Sequence, residues 1–452
     1  IISFTDSGLQ EFYVEDNKGK QVPYQVESQE RLPSLDGLRR VRIQFIAENI
    51  PAFGYKVYRI TPGKGQVFEN LEAGPVGEKA RLELDTAFIG NAFFKVEVDQ
   101  WKGVVTSIKD KRQGWEVIDQ DLPLGNTITK EPDNGDPWEI GAPLRGGGSV
   151  SNRVFPFPNP WEADFAHNYG ASTIVRTGPV FAEILIRGDF GKGSRESSIR
   201  VYRGIPRIEF CTKLVNNDEW VRYRIAFPTS IKAGKVINEI PFGAVERDAR
   251  ESCSQNWVDY TDGNKGVAFF NRGIPGSSIV DGIFMLSVLK CTAIKKYATV
   301  EGLPLTKGAF EKGVEHTFEY AIMPHVGDWM DMNLARVGLE FNNPLITIKT
   351  TVHKGDLRSE GSFIEVSPGN IVVTTVKKGD DDCIILRLYE TNGKRSEGKV
   401  KFFREIREVY ETDLLENEKA KLSLVKGAFE FKFKIGVFEV KTFKVRLVNA
   451  KI

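Results

Sequence analysis

The chain is poor in the residue types that most often build metal and redox sites. Its 452 residues include four cysteines, four histidines and four methionines. The cysteines are far apart and form no C-x-x-C pair, so we predict small buried thiols in a reducing, cytoplasmic compartment. None of the histidines stands in an H-x-D or H-x-x-x-H spacing, so the usual sequence motifs of a zinc site are absent.

Familiar catalytic patterns are missing as well. The sequence contains no G-x-S-x-G nucleophile elbow and no P-loop. The run Gly146-Gly147-Gly148 has no strand-to-helix pattern around it and is typical of a flexible tip rather than a phosphate cradle. The residues by themselves therefore display no complete catalytic set.

Charge and hydropathy exclude two classes of partner. The formal net charge is +1, which gives no general attraction to nucleic acid or to an anionic membrane surface. No uninterrupted apolar run approaches membrane-spanning length. We therefore expect neither a nucleic acid nor a membrane as partner.

The residues that are abundant favour β-structure. Thirty phenylalanines and 43 glycines suit many strands joined by tight turns, and the only helical candidate is a short one at residues 413–421. Residues 317–329 separate a long series of predicted strands from a shorter series that ends at the C-terminus, and we name them the organising strand. Phe318, Tyr320 and Ile322 alternate there with polar or small residues, as in a half-buried strand. We predict that Pro324 ends this strand, since proline lacks the N–H that a ladder needs. The chain is predicted to be all-β.

A chain of this length is expected to form two to four domains. We predict a small β-sandwich in residues 1–80, a large β domain in residues 81–330 and a C-terminal β-sandwich in residues 331–452. Alternating residues predict one hairpin at 94–108 and a last hairpin at 429–448. Residues 126–171 have little periodicity and many aromatics, which indicates a functional loop rather than disorder. The start, Ile1-Ile2-Ser3-Phe4, is typical of the middle of a strand, so we expect further chain upstream.

Several segments carry a family resemblance. Residues 320–329 have the sequence Y-A-I-M-P-H-V-G-D-W. Upstream, in chain order, are V-P-Y-Q (22–25), I-P-A-F-G-Y (50–55), S-I-K-D-K (107–111), F-G-A-V-E-R (242–247) and V-A-F-F-N-R-G (267–273). This ordered set spans nearly the whole chain and resembles the C-terminal half of glycoside hydrolase family 38, the α-mannosidases.

The resemblance implies an architecture and a division of labour. The expected fold is all-β: a large mutarotase-like β-supersandwich flanked by smaller immunoglobulin-like β-sandwiches. Family enzymes also have an N-terminal barrel with a zinc ion and an aspartate nucleophile, and they retain configuration by means of two carboxylates about 5 Å apart. Nothing in this sequence matches that barrel. The resemblance therefore implies no metal or catalytic residue in this chain and zinc in a missing catalytic domain.

The resemblance also implies sugar-facing residues. Residues 134–140, N-G-D-P-W-E-I, resemble a family loop whose aromatic residue approaches the sugar, with Trp138 at the tyrosine position and Asp136 before it. Tryptophan can stack on a sugar but lacks the hydroxyl. Asn271 and Arg272 resemble a segment whose arginine points at the active site, where a guanidinium suits sugar hydroxyls. The competing interpretations are a packed loop for Asp136 and Trp138, and a strand-end ion pair for Arg272.

Three hypotheses follow. In the first, the chain is the C-terminal β half of a retaining α-mannosidase-like enzyme; it braces the missing N-terminal catalytic domain, lends loops to the sugar site and is inactive alone. The second is a stand-alone carbohydrate-binding β-sandwich protein. The third is a self-contained carbohydrate enzyme with converging carboxylates. The sequence leaves open whether the protein forms a homo-oligomer.

We expect His325 to bond to backbone at a domain junction. Carboxylate candidates for the third hypothesis are Asp136, Glu139, Glu246 and Asp259.

Overall fold

A computed structural model gives the fold and describes residues 2–3, 9–31, 37–75, 85–133, 163–248, 251–292, 307–425 and 427–448. The chain forms two compact units. The large unit consists of Glu69–Glu239 and Val245–Met332, and the small unit of Ile1–Phe68, Ile240–Ala244 and Asn333–Ile452. Both are built almost entirely from strands, so the all-β prediction is confirmed. The division into three domains stays a prediction.

The strands that precede the large unit in the chain belong to the small unit. They are β1 (Ile2–Ser3), β2 (Phe12–Glu15), β3 (Gln21–Val22), β4 (Tyr24–Arg31), β5 (Leu38–Phe45), β6 (Gly54–Lys56) and β7 (Arg59–Pro62).

The next twenty strands belong mainly to the large unit. They are β8 (Ala73–Gly74), β9 (Thr86–Gly90), β10 (Phe94–Asp99), β11 (Val104–Asp110), β12 (Trp115–Glu116), β13 (Thr127–Pro132), β14 (Asp164–Phe165), β15 (Ser172–Thr177), β16 (Phe181–Phe190), β17 (Gly193–Tyr202), β18 (Ile208–Val215), β19 (Val221–Pro228), β20 (Lys235–Ile240), β21 (Gly243–Arg247), β22 (Ser252–Cys253), β23 (Trp257–Thr261), β24 (Lys265–Asn271), β25 (Gly276–Val280), β26 (Ile283–Cys291) and β27 (Glu315–Val326). Two 3₁₀ turns, Ala166–Tyr169 and Lys307–Phe310, lie between them.

The remaining elements complete the small unit. They are the helix α1 (Leu334–Asn342) and the strands β28 (Glu360–Ser362), β29 (Ile364–Ser367), β30 (Ile371–Lys378), β31 (Ile384–Glu390), β32 (Ser396–Phe402), β33 (Ile406–Thr412), β34 (Glu418–Lys421), β35 (Glu430–Ile435) and β36 (Val440–Leu447).

Three antiparallel sheets make up the large unit. The nine-stranded sheet has the order β15-β16-β17-β18-β27-β24-β23-β20-β21, and the six-stranded sheet has the order β14-β13-β19-β26-β25-β22. The third sheet, β12-β11-β10-β9-β8, contains the predicted hairpin of β10 and β11. One hydrophobic core takes side chains from all three sheets, which is the layered construction of a supersandwich.

The organising strand lies where the sequence places it but is longer. β27 is a central strand between β18 and β24, and Phe318, Tyr320 and Ile322 lie in the core. Pro324 does not end it, because the strand continues to Val326 and Pro324 pairs with Val267 of β24. The partner strand β18 reaches only to the position opposite Ile322, so on that side no strand needs the N–H that proline lacks.

Sandwiches also form the small unit. In its C-terminal part, the sheet β29-β32-β35 packs against the sheet β30-β31-β36-β33-β34. The predicted last hairpin is wrong, because β35 pairs with β32 whereas β36 pairs with β31 and β33. The chain instead crosses from one sheet to the other, and Phe431 meets Phe443 with ring centroids 5.1 Å apart. Alternating phenylalanines suit both a hairpin and a crossing between two sheets, because either arrangement buries one face of the strand.

The helix prediction fails in position. Residues 413–421 form a turn and the strand β34, whereas the α-helix of the described chain is α1. Leu334, Ala335, Gly338 and Phe341 form the buried stripe of α1. The helix has nine residues and an internal glycine, so its pattern is too short and its propensity too weak to stand out in the sequence.

Candidate substrate-facing site

Two of the four predicted sugar-facing residues can be placed. Asp136 and Trp138 lie outside the described residues, and their role stays a prediction. Asn271 is the last residue of β24 and Arg272 follows it. Asn271 is buried, and its Oδ1 accepts the N–H of Ile274 at 3.1 Å. That bond closes the turn after the strand, so this part of the Asn271 side chain is structural.

Arg272 is held beside the organising strand. Its backbone N–H donates to the carbonyl of Glu319 at 3.1 Å, and its guanidinium forms an ion pair with the Glu319 carboxylate. The two side chains are 35% and 44% exposed. A strand-end ion pair describes this geometry.

Replacing Arg272 with glutamine is expected to change stability very little. An ion pair exposed to this extent contributes about 0–1 kcal/mol, because water screens both charges. Urea unfolding followed by tryptophan fluorescence measures this, since every tryptophan among the described residues lies in the large unit. A loss of more than about 2 kcal/mol would mean that Arg272 has a structural role that its exposure does not indicate.

The described residues also define the root of the predicted sugar loop. β13 leads directly toward residues 134–162, and β14 follows them. The two strands pair, with Thr129 opposite Phe165 and Lys130 opposite Asp164. Both ends of the segment that contains Asp136 and Trp138 are therefore fixed on the six-stranded sheet.

A buried ionic network lies at this root. Glu131 is fully buried, and both of its oxygens accept from Arg224, whose Nε and Nη2 lie at 2.7 and 2.6 Å. Arg222 Nη2 donates to the same carboxylate at 3.0 Å, and Thr129 Oγ1 donates at 2.9 Å. Burial alone would raise the pKa of Glu131, but the two guanidinium groups outweigh it and the pKa is lowered. Glu131 is therefore a charged anchor that two arginines share.

A second ionic group lies on the other side of β13. Lys130 Nζ lies 3.2 Å from Asp164 and 3.4 Å from Asp218. Burial lowers the pKa of Lys130, but the two carboxylates outweigh burial and the pKa is raised. The hydroxyl of Tyr169 donates to Asp164. One ammonium thus ties the return strand β14 to both β13 and the residue Asp218.

The return end of the segment has a further anchor in Arg195. Its Nη2 donates to the carbonyls of Lys102 and Ala166, both at 3.0 Å, and more weakly to that of Gly170 at 3.4 Å. The side chain is almost fully buried, and burial lowers the pKa of Arg195 to about 10. Arg195 therefore fixes the 3₁₀ turn that follows β14.

The carboxylates proposed for a self-contained enzyme have separate partners. Asp136 and Glu139 lie outside the described residues. Glu246 is exposed and pairs with Lys235 at 3.1 Å. Asp259 is fully buried beside His325, with Oδ1 2.9 Å from Nε2. The two described candidates are therefore not joined in one site.

The same contact corrects the expectation for His325. The histidine bonds to a carboxylate rather than to backbone, and it does so across the intervening strand β24. The bridge is possible because Gly266 lies beneath it: a Cβ there would come within 2.6 Å of His325 Nε2 and 3.1 Å of Asp259 Oδ1.

Glu239 is a buried carboxyl group that the sequence did not single out. It is 3% exposed, it accepts the backbone N–H of Asn256 at 2.7 Å, and burial raises its pKa to about 7. Its strand position gives no sign of this, because the burial comes from residues remote in sequence.

Glu239 should make the large unit less stable as the pH rises. Between its ordinary pKa of 4.5 and about 7 the folded state holds a proton that the unfolded state has lost. Its stabilising contribution is thus complete below pH 4.5 and is lost as the pH passes 7, with a total of at most about 3 kcal/mol. Urea unfolding of the native chain and of Glu239→Gln should therefore diverge with pH. Parallel curves would contradict the assignment.

The described ranges contain neither a cluster of metal ligands nor a membrane-spanning helix. Within them no three His, Cys, Asp or Glu side chains gather as metal ligands. The four cysteines are free thiols, two of them buried. No described helix has the length and hydropathy to cross a membrane. The cytoplasmic location stays a prediction.

The fold defines a multi-sandwich all-β protein, and a solved structure shares it. An α-mannosidase from Enterococcus faecalis V583 superposes with a TM-score of 0.75 at 17% identity, over 97% of this chain and 51% of that chain. A second Enterococcus faecalis structure, described as a protein in glycosyl hydrolase family 38, gives 0.74 at 17% identity over 96% of this chain and 52% of that chain.

Two family models match in sequence. The "Glycosyl hydrolases family 38 C-terminal domain" matches residues 89–296, and the "Glycosyl hydrolases family 38 C-terminal beta sandwich domain" matches residues 370–443, together more than half of the chain. The chain belongs to glycosyl hydrolase family 38 and corresponds to the C-terminal half of the α-mannosidases of that family.

Curated relatives agree. Alpha-mannosidase G of Dictyostelium discoideum is 24% identical over 376 residues, which are 79% of this chain and 32% of that protein. Human Alpha-mannosidase 2C1 is 25% identical over 227 residues, 47% of this chain and 20% of that protein. The chain thus spans no more than about a third of these relatives.

Proposed function

We propose that the chain is the C-terminal β half of a retaining α-mannosidase-like glycoside hydrolase. In this proposal it braces an N-terminal catalytic half, lends the loop of residues 134–162 and Arg272 to the sugar site, and has no turnover alone. The observation that carries the proposal is that both C-terminal domain models of the family match in order, while the α-mannosidase relatives extend far beyond the matched part.

The loop root supports the second part of the proposal. A loop that contacts substrate must be held within a fraction of an ångström, and packed ionic and hydrogen-bonded supports do this. Glu131 with its arginines, Lys130 with its aspartates, and Arg195 hold the two ends of the segment. These supports on β13, β17 and β19 fix the positions at which the segment leaves and rejoins the sheet.

Zinc belongs to the catalytic half in this proposal. Among the described residues of this chain, no three His, Cys, Asp or Glu side chains converge as metal ligands. No step of the reaction is assigned to them.

The test is a colorimetric assay with an aryl α-mannoside on the longer native polypeptide and on this chain alone. We expect turnover by the longer protein and none by the chain. Turnover by the chain would refute the division of labour, and absence of turnover in both would refute the α-mannosidase assignment. Titration of the chain with mannose and mannobiose, followed calorimetrically, distinguishes a stand-alone carbohydrate-binding protein, which would bind with full affinity without the N-terminal half.

A further inference from the structure

Residues 344–358 form an exposed extended segment with an unusual composition, here named the arm. It connects α1 with β28 in the small unit. Every residue from 343 to 359 is exposed, and residues 344–358 belong to no helix, strand or bridge of the described chain. Five large apolar side chains on it are 63–94% exposed: Leu345, Ile346, Ile348, Val352 and Leu357.

The arm does not have the composition of a linker. Flexible linkers are rich in Gly, Ser and charged residues, whereas residues 345–352 read L-I-T-I-K-T-T-V. Ile346, Ile348 and Val352 fall on one face of an extended backbone, with Thr350 between them, whereas Thr347, Lys349 and Thr351 fall on the other, which is the period of a strand with one largely apolar face. Single exposed apolar residues are ordinary, but a row of them on a strand-like backbone that joins no sheet of the described chain marks a surface that another element covers.

We propose that the arm docks on the N-terminal catalytic half as an added strand or as an apolar strap. This inference rests on the proposed function. The observation that selects this occupant is the length of the neighbours: the Enterococcus α-mannosidase has nearly all of this fold in about half of its chain, and the other half is available as a covering surface. Main-chain pairing would supply affinity, and the alternating Ile and Val side chains would supply specificity.

The charges of the arm indicate the rim of its docking site. Lys349, Lys354 and Arg358 outnumber Asp356, so the arm is basic. A complementary site has an apolar floor for Ile346 and Ile348 and acidic groups at its edge. A second copy of this chain is the rival occupant and is an outcome of the test.

The test is hydrogen–deuterium exchange of arm peptides in the longer native polypeptide and in this chain. We expect exchange of residues 345–352 to slow at least tenfold in the longer protein and to be fast in the chain alone. Equal, fast exchange in both would overturn the proposal. Slow exchange in the chain alone, with a concentration-dependent dimer in sedimentation, would also overturn it and would assign the arm to a second copy.

Paired variants separate docking from activity. Ile346→Lys with Ile348→Lys in the longer protein should restore fast exchange of the arm, and the matched control is Leu414→Lys with Leu415→Lys, which are 63% and 84% exposed elsewhere in the small unit. An unchanged exchange rate in the arm variant contradicts docking. Because exchange is measured without substrate, a longer protein that lacks α-mannosidase turnover would refute the proposed function while leaving the docking result intact.

Discussion

Replacing Glu131 with alanine should destabilise the large unit by about 3–5 kcal/mol. The carboxylate is fully buried and accepts from Arg224 and Arg222. Removal of one partner from such a group leaves two guanidinium charges without compensation in a low-dielectric interior, which costs far more than the lost contacts. Urea unfolding followed by tryptophan fluorescence measures the change, because the tryptophans in the described part of the chain lie in that unit.

Two variants make this result specific. Glu131→Gln preserves the shape of the side chain and isolates the loss of charge, and it should still produce most of the loss of stability expected for Glu131→Ala. Glu246→Ala removes an exposed carboxylate whose partner Lys235 is also exposed, and it should change stability by less than about 0.5 kcal/mol. Equal losses of unfolding free energy for Glu131→Ala and Glu246→Ala would show that the buried network does not stabilise the root of the loop.

Replacing Gly266 with alanine should also cost about 3–5 kcal/mol. The new Cβ would meet His325 Cε1 and Nε2 at 2.6 Å, and the side chains of His325 and Asp259 are both fully buried. The methyl group therefore separates the pair and leaves polar groups buried without each other. Thermal or urea unfolding checks the size of the loss.

The control for Gly266 is another glycine. A Cβ at Gly308 meets nothing within 4 Å, and the φ of Gly308 is not positive, so Gly308→Ala should be nearly neutral. His325→Asn tests the cause, because it removes the imidazole that the methyl group would displace. If Gly266→Ala proves as mild as Gly308→Ala, the bridge across β24 is not a rigid feature.

Local alternation made individual strands predictable. β10, β11 and β27 lie within a few residues of their sequence predictions, since one buried face imposes a period of two wherever the strand is. Which strands pair with each other was harder to predict from the sequence. β35 and β36 have the pattern of a hairpin but lie in different sheets, because alternation specifies which face is buried and not which strand is the neighbour.

The site was less predictable than the fold. Glu131 and Arg224 are 93 residues apart in the sequence, and nothing local in either strand indicates the contact. His325 was expected to bond to backbone, but its partner comes from a strand two positions away in the sheet. The family resemblance supplied Asp136, Trp138, Asn271 and Arg272, and the contacts of the last two show a turn bond and an ion pair, while their role toward sugar stays a prediction.

A protease site placed just upstream of Ile1 in the longer native polypeptide allows the proposed division of labour to be tested, by turnover of an aryl α-mannoside after cleavage. We expect the nicked protein to keep its turnover while the halves remain associated, and this chain, once separated, to have none. Turnover that stays with the separated 452-residue chain would refute the division of labour.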